Sequence, residues 1–314
     1  MKISVVTTLY RSSEYIPEFY SRIKQTLEKL GGSYEIIMVN DGSPDNSKDI
    51  AIEIQHKDQY VKVIDLSRNF GHHKAILTGL SYVTGDLIFL IDCDLEEEPE
   101  LLTQFYSKWI EYDDKYDVLY GTQENRSGTF YRRFAGALFY KVFNYLSDVH
   151  ISPNICTVRL MSRKYVDSLL EFKDKNVFLA ALFEKVGFDQ KSITINKTYK
   201  GSSSYSLFKK ITLMTEAITS FSSKPLTLIM LAGLTISSLS FLYALFLAVR
   251  KIFSLSVFSG WTSLMVSIWF LSGIILFSLG TLGIYITKIY NETKDRPLTI
   301  VKKIHGNDNG ENYE

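Results

Sequence analysis

The chain predicts an α/β head built on a mostly parallel sheet, followed by a membrane anchor of two helices. Three observations carry this reading. Over residues 1–125, apolar runs of strand length alternate with helical stretches, the pattern of a parallel sheet covered on both faces. Pro225–Val249 is 25 residues without a charge and Ile252–Thr287 a further 36, where ~20 apolar residues suffice to cross a hydrocarbon core. The length of 314 residues accommodates about two structural units at ~150 residues each.

Composition narrows the field. Lys+Arg 35 against Asp+Glu 34 gives a net charge of +1, which lacks the electrostatic footprint of a nucleic-acid binder. Hydrophobic residues at 46% exclude wholesale disorder. Two cysteines, Cys93 and Cys156, are too few for a disulfide framework or a cysteine-built zinc site, and fit a reducing compartment.

Element by element, Ile3–Thr7, Glu35–Val39, Val61–Leu66 and Leu87–Ile91 read as strands, being short and rich in apolar and β-branched residues. Tyr15–Leu30, Asp45–Lys57 and His72–Val83 read as the helices between them, with turns at Gly31–Gly32, Asp41–Pro44 and Thr84–Gly85. Residues 129–147 form an aromatic-rich helix candidate with a basic end. Residues 204–223 form an amphipathic candidate just before the first span. Both either pack on the sheet or lie at the bilayer surface.

For the two uncharged runs, the alternative to spanning is a buried core helix. The short apolar run after Met1 is broken by Arg11, too early for a signal peptide. Lys288, Lys294, Arg296, Lys302 and Lys303 follow the second run, against only Arg250 and Lys251 between the two. This places both ends on the cytoplasmic side. Trp261, Tyr285 and Tyr290 are the expected interfacial anchors. The expected organisation is a head over 1–203, a juxtamembrane helix over 204–224, spans over 225–249 and 262–287, and a polar cytoplasmic tail over 288–314, loose after Val301. Gly273, Gly280 and Gly283 mark candidate close helix contacts, within the anchor or in a homo-oligomer.

In open α/β sheets, ligands bind beyond the carboxyl ends of strands, and four polar clusters fall there. Asp92-Cys93-Asp94 closes the fourth strand and leads into Leu95-Glu96-Glu97-Glu98-Pro99-Glu100. Carboxylates at i and i+2 of an extended segment share one side, so they repel unless a cation such as Mg²⁺ or Mn²⁺ lies between them, bridging to a diphosphate. A solvated acidic helix start is the alternative. Asn40-Asp41-Gly42-Ser43 ends the second strand, suited either to a ribose or base contact or to an Asx turn. Tyr10 ends the first strand, where it either stacks on a base or packs. Arg68, His72, His73 and Lys74 follow the third strand and open a helix, a setting that favours phosphate. Adjacent His72 and His73 do not face one metal site.

Taken together, the four clusters resemble those of family 2 glycosyltransferases with a GT-A fold. More narrowly, the chain is similar to the polyisoprenyl-phosphate glycosyltransferases, the type of dolichol-phosphate mannose synthase and bacterial undecaprenyl-phosphate sugar transferases. The resemblance is carried by Val5–Tyr10, Val39–Ser43, Leu66–Gly71, Gly85-Asp86 and Asp92–Glu100. Further on it includes Arg159–Arg163, Lys200–Tyr205 and Ser220–Leu226. It implies a nucleotide-sugar donor at Tyr10 and Asp41, and a metal-bound diphosphate at Asp92 and Asp94 with Glu96 beside them; cations near Arg68 are expected to stabilise the leaving diphosphate. It also implies a polyprenyl phosphate acceptor met by Arg126 and one of Arg132 or Arg133, in a bacterial plasma membrane. Four positions depart from the family pattern: Thr8 for a usual Pro, Ser12 for Glu, Glu96 for Gln and Ser204 for Lys. At a fifth, Thr157 stands where an acidic residue is common.

The chemistry survives the missing acid. A phosphate monoester is largely dianionic at neutral pH and needs no deprotonation to attack; the expected reaction is a direct displacement with inversion. Two alternatives remain open. One is a processive polysaccharide synthase, whose Gln-x-x-Arg-Trp motif does not occur here. The other is a non-catalytic membrane assembly subunit with a transferase-like head.

Overall fold

A computed structural model describes residues 1–113, 115–123, 144–146, 154–196, 219, 222–252 and 260–306. The chain divides into two units. One comprises 1–140, 150–204 and 296–314, and the other 141–149 and 205–295.

The first unit is a sheet of eight strands in the order β7-β5-β6-β4-β1-β2-β3-β8. β1 (Lys2–Leu9), β2 (Ser33–Asn40), β3 (Val61–Leu66) and β4 (Leu87–Leu90) pair in parallel. The connecting helices are α1 (Ile16–Leu30), α2 (Ser47–Lys57) and α3 (His72–Ser81). After α4 (Leu101–Tyr112) come β5 (Val118–Gln123) and β6 (Ile155–Ser162). β6 runs antiparallel to both β4 and β5. Helices α5 (Arg163–Leu170) and α6 (Leu179–Lys185) lead to β7 (Gln190–Ile195), which pairs in parallel with β5.

Strand periodicity explains how one sheet makes two cores. Along β1, β2 and β4, Val5, Ile36, Met38 and Phe89 join one apolar cluster while Val6, Ile37, Val39 and Leu90 join the other, because successive side chains leave opposite faces. The first cluster is closed by Phe19, Ile23 and Leu27 of α1 and by Leu102 and Phe105 of α4. The second is closed by Ala75 and Leu80 of α3, Val166 of α5 and Leu182 of α6. The buried residues of α1 recur at helical spacing. Pro17 falls in its first turn, where no intrahelical N–H is required. Gly31 ends α1 at φ 72°, donating to the Leu27 carbonyl.

The C-terminal segment differs from the expected loose tail. Residues 301–305 form β8 (Val301–His305), antiparallel to β3. Val301 and Ile304 flank two consecutive lysines, so the segment is short and charged enough to read as polar, but an open β3 edge offers unpaired backbone groups that a returning strand satisfies.

In the second unit, α7 (Lys224–Ile252) and α8 (Trp261–Thr293) are 29 and 33 residues long. At 1.5 Å per residue either exceeds a hydrocarbon core of ~30 Å. Among the described residues their large apolar side chains are exposed, Phe241 at 69% and Trp269 at 79%, which argues against the buried-core-helix alternative. Such apolar exteriors suit lipid. Tyr285 of α8 donates to the Ser222 carbonyl at 2.8 Å. Most of the helix candidates at 129–147 and 204–223 lies outside the described residues.

Candidate active site

The carboxyl ends of β1, β2, β3 and β4 come together, as the parallel topology requires. Here the sequence-selected residues divide into those facing outward and those holding loops in place.

Tyr10 stands just past β1 with 45% of its surface exposed, available as a stacking platform, and the Arg11 guanidinium lies 5.7 Å from its ring centre. Ser12, the departure from the usual Glu, is buried and structural. Its hydroxyl accepts from the Tyr10 N–H at 3.2 Å, and its own N–H donates to Ser47 Oγ at 2.9 Å. Asp45 extends this clamp. It accepts from the Ser13 N–H and from the hydroxyls of Ser43 and Ser47. Burial opposes its ionisation, but these hydrogen bonds prevail and hold the carboxyl well below the usual range.

Asp41 is buried, and both its carboxylate oxygens are engaged. Oδ1 accepts from the Phe70 N–H at 2.7 Å and Oδ2 from the Gly71 N–H at 3.0 Å. Burial raises its pKa, against the lowering effect of these two bonds. Asp41 thus ties the end of β2 to the loop after β3, and each oxygen keeps a lone pair for a ligand. The adjoining Gly42 lies at φ 58°, and a Cβ there would fall 2.5 Å from the backbone of Arg68 and Asn69. Only glycine permits this crossing. Arg68 is exposed, its guanidinium 4.3 Å above the Phe70 ring.

Asp92 and Asp94 flank the buried Cys93 just beyond β4. Asp94 Oδ1 accepts from the Glu96 N–H at 2.9 Å, turning the chain, with Leu95 at φ 58°. Among the described residues, no three His, Cys, Asp or Glu side chains converge as a metal cage. The expected set of Asp92, Asp94 and Glu96 is therefore not assembled as a three-ligand cluster. The chemistry of an Asp92/Asp94 pair still fits a hard cation, because Mg²⁺-like ions use one or two carboxylates and complete their shell with substrate phosphates and water.

Sequence reading missed a constellation around His72. Its Nε2 lies 3.4 Å from Asp92 Oδ1, and its Nδ1 lies 3.0 Å from Thr8 Oγ1. With Nε2 carrying the proton toward Asp92, Nδ1 accepts from the Thr8 hydroxyl. Thr8, where the family has Pro, is what supplies that donor. The neighbouring His73 turns away to the Val177 carbonyl at 3.2 Å, and burial lowers its pKa.

A second missed feature is a cavity of about 160 Å³ lined by His72, His73, Thr157, Arg159, Phe178 and Phe183. Arg159 is buried, 3.4 Å from the centre of the Phe183 ring. Burial lowers its pKa to about 10, against the opposing pull of Tyr165, Glu184 and Glu97, so it remains cationic at neutral pH. Thr157 also lines this cavity. Arg126, Arg132 and Arg133 lie outside the described residues.

Residues 4–170 match the model of "Glycosyl transferase family 2". The uncharacterized glycosyltransferase YkcC of Bacillus subtilis is 39% identical, aligned over 100% of this chain and 97% of its own. The SfII prophage-derived bactoprenol glucosyl transferase of Shigella flexneri is 33% identical over 97% of this chain and 99% of its own. Among solved structures, glucosyl-3-phosphoglycerate synthase from Mycobacterium tuberculosis, in complex with Mn²⁺, UDP-glucose and phosphoglyceric acid, aligns over 70% of this chain and 78% of its own. That alignment has a TM-score of 0.47 and 15% identity. With a family model matched over more than half its length and relatives aligned end to end, the chain belongs to glycosyl transferase family 2 and is a glycosyltransferase of GT-A-like α/β architecture.

Proposed function

We propose that the protein transfers a sugar from a nucleotide-sugar donor to a polyprenyl phosphate at the cytoplasmic face of a bacterial plasma membrane. The observation that carries this is the combination, in one chain, of carboxylates at the end of β4 with two long, laterally exposed apolar helices. An anchor of this kind suits an acceptor that itself resides in the membrane. End-to-end similarity to a bactoprenol glucosyl transferase supports the acceptor class. The chain enters α7 from the head and, after α8, rejoins the head's sheet as β8. Two crossings return it to the side it left, and the basic residues after α8 favour the cytoplasm as that side.

Asp92 and Asp94 would hold a divalent metal, which when bound would supply positive charge to offset that developing on the leaving nucleoside diphosphate. His72 fixes Asp92, Tyr10 offers a surface for the base, and Asp41 holds the Arg68 loop in place. The acceptor phosphate, already dianionic, attacks the anomeric carbon. A carbon–oxygen bond to the lipid phosphate forms as the bond to the diphosphate breaks, with inversion and without a general base. Arg126 and Arg132 or Arg133 screen the approaching anions.

Membranes containing the protein, given labelled nucleotide sugars and undecaprenyl phosphate, should form one lipid-linked sugar of inverted configuration, and chelation of divalent metal should abolish it. A product with retained configuration, or none across the donor panel, would contradict the proposal.

A further inference from the structure

We propose that residues 298–305, the segment following α8, are a positioning element of the donor site rather than a tail. The inference rests on the reading of the β1–β4 carboxyl ends as that site.

The loop Ser67–Gly71 is the part of the site that the parallel strands hold least well. It follows the last of them, β3, whose outer edge carries no other parallel neighbour. Two sets of contacts fix it. On its inner side, Asp41 accepts from Phe70 and Gly71. On its outer side, the Ser67 N–H donates to the Ile300 carbonyl at 2.9 Å, directly after the pairing Leu66↔Val301. The register shifts between Asp65 and Leu66, so the β3 end bends where the loop begins.

The same segment reaches α3. Thr299 Oγ1 lies 2.7 Å from Thr78 Oγ1, and Leu298, Val301 and Phe70 all pack against the cluster containing Ala75 and Ile76. It therefore braces both ends of one unit, the Arg68 loop and the helix that presents His72 to Asp92. Inside β3, Asp65, paired with Lys303, accepts from the buried Asn40 side chain at 2.7 Å, and Asn40 Oδ1 in turn accepts from the Ser43 N–H. The returning strand is thereby linked through two side chains to the Gly42 crossing.

A strand that only covered an edge would add stability without touching ligand affinity. One that sets a loop changes affinity first, because strand addition orders the backbone it pairs with. The test compares the full chain with a chain ending at Pro297, both in lipid nanodiscs, with Mn²⁺ and UDP, GDP or dTDP as the probe. The truncated chain should bind the nucleotide preferred by the full chain at least tenfold more weakly. A synthetic peptide of residues 298–306 should restore binding.

Should truncation unfold the head, the double variant Leu298→Asp/Val301→Asp replaces it. That variant should raise donor KM at least tenfold, leave acceptor KM unchanged, and keep cooperative unfolding of the head. Equal donor affinity with and without the segment, or a loss of stability with donor KM unmoved, would overturn the inference while leaving the proposed function intact. A full chain that binds none of the three nucleotides would instead overturn the donor-site reading, and this inference with it.

Discussion

His72 links two strand ends that the sequence presents far apart. Its contacts with Thr8 and Asp92 place it to orient Asp92, the carboxylate proposed to hold the metal, a role whose loss typically costs 10–100-fold in metal affinity. His72→Ala should therefore raise the metal concentration needed for half-maximal transfer by about 10–100-fold. Unchanged metal activation would remove His72 from that role. Asp45 makes a pH prediction. Its folded pKa lies below the ordinary 3.8, so its contribution to stability is present above 3.8 and is lost as pH falls through the folded value. Asp45→Asn should lower Tm at pH 7 and flatten the fall in Tm on acidification below pH ~4. Parallel acid profiles for variant and parent would contradict it.

The β1–β4 core was legible because buried parallel strands announce themselves as apolar runs: Val61–Leu66 is observed as expected, and the other three agree to within two residues at each end. The β8 strand was not legible, since five residues with two lysines carry no such signal and only the unfilled edge of β3 selects them. The position of Asp92 and Asp94 just beyond β4 follows from a local apolar run and is observed as expected, whereas the Thr8–His72 contact depends on how β1 and α3 pack and leaves no local trace. Arg159 appeared in the sequence only as part of a family motif. Its burial against Phe183 follows from the antiparallel pairing of β6 with β4. The crossing of the β2 and β3 loops at Gly42 yields a stability prediction. Gly42→Ala forces both a left-handed alanine and a 2.5 Å backbone clash, and should destabilise the head by about 1–3 kcal/mol in denaturant titration. A neutral effect would show that the loops separate freely.

At the scale of the whole chain, β8 follows α8 and joins the same sheet as β1–β4, so two membrane crossings, as proposed, would leave both anchor ends on one side. The two native cysteines are buried, so introduced thiols can be read without background. Gly260→Cys should react with an impermeant maleimide in intact cells, and Arg296→Cys only after permeabilisation; the reverse pattern would invert the orientation. The central claim is that Asp92 and Asp94 hold the divalent ion on which donor activation depends. Its most direct test is the single-turnover rate of sugar transfer to undecaprenyl phosphate by Asp94→Asn under saturating donor and metal. The rate should fall at least ~100-fold with the protein still folded and membrane-inserted. Transfer at the parental rate would contradict the account.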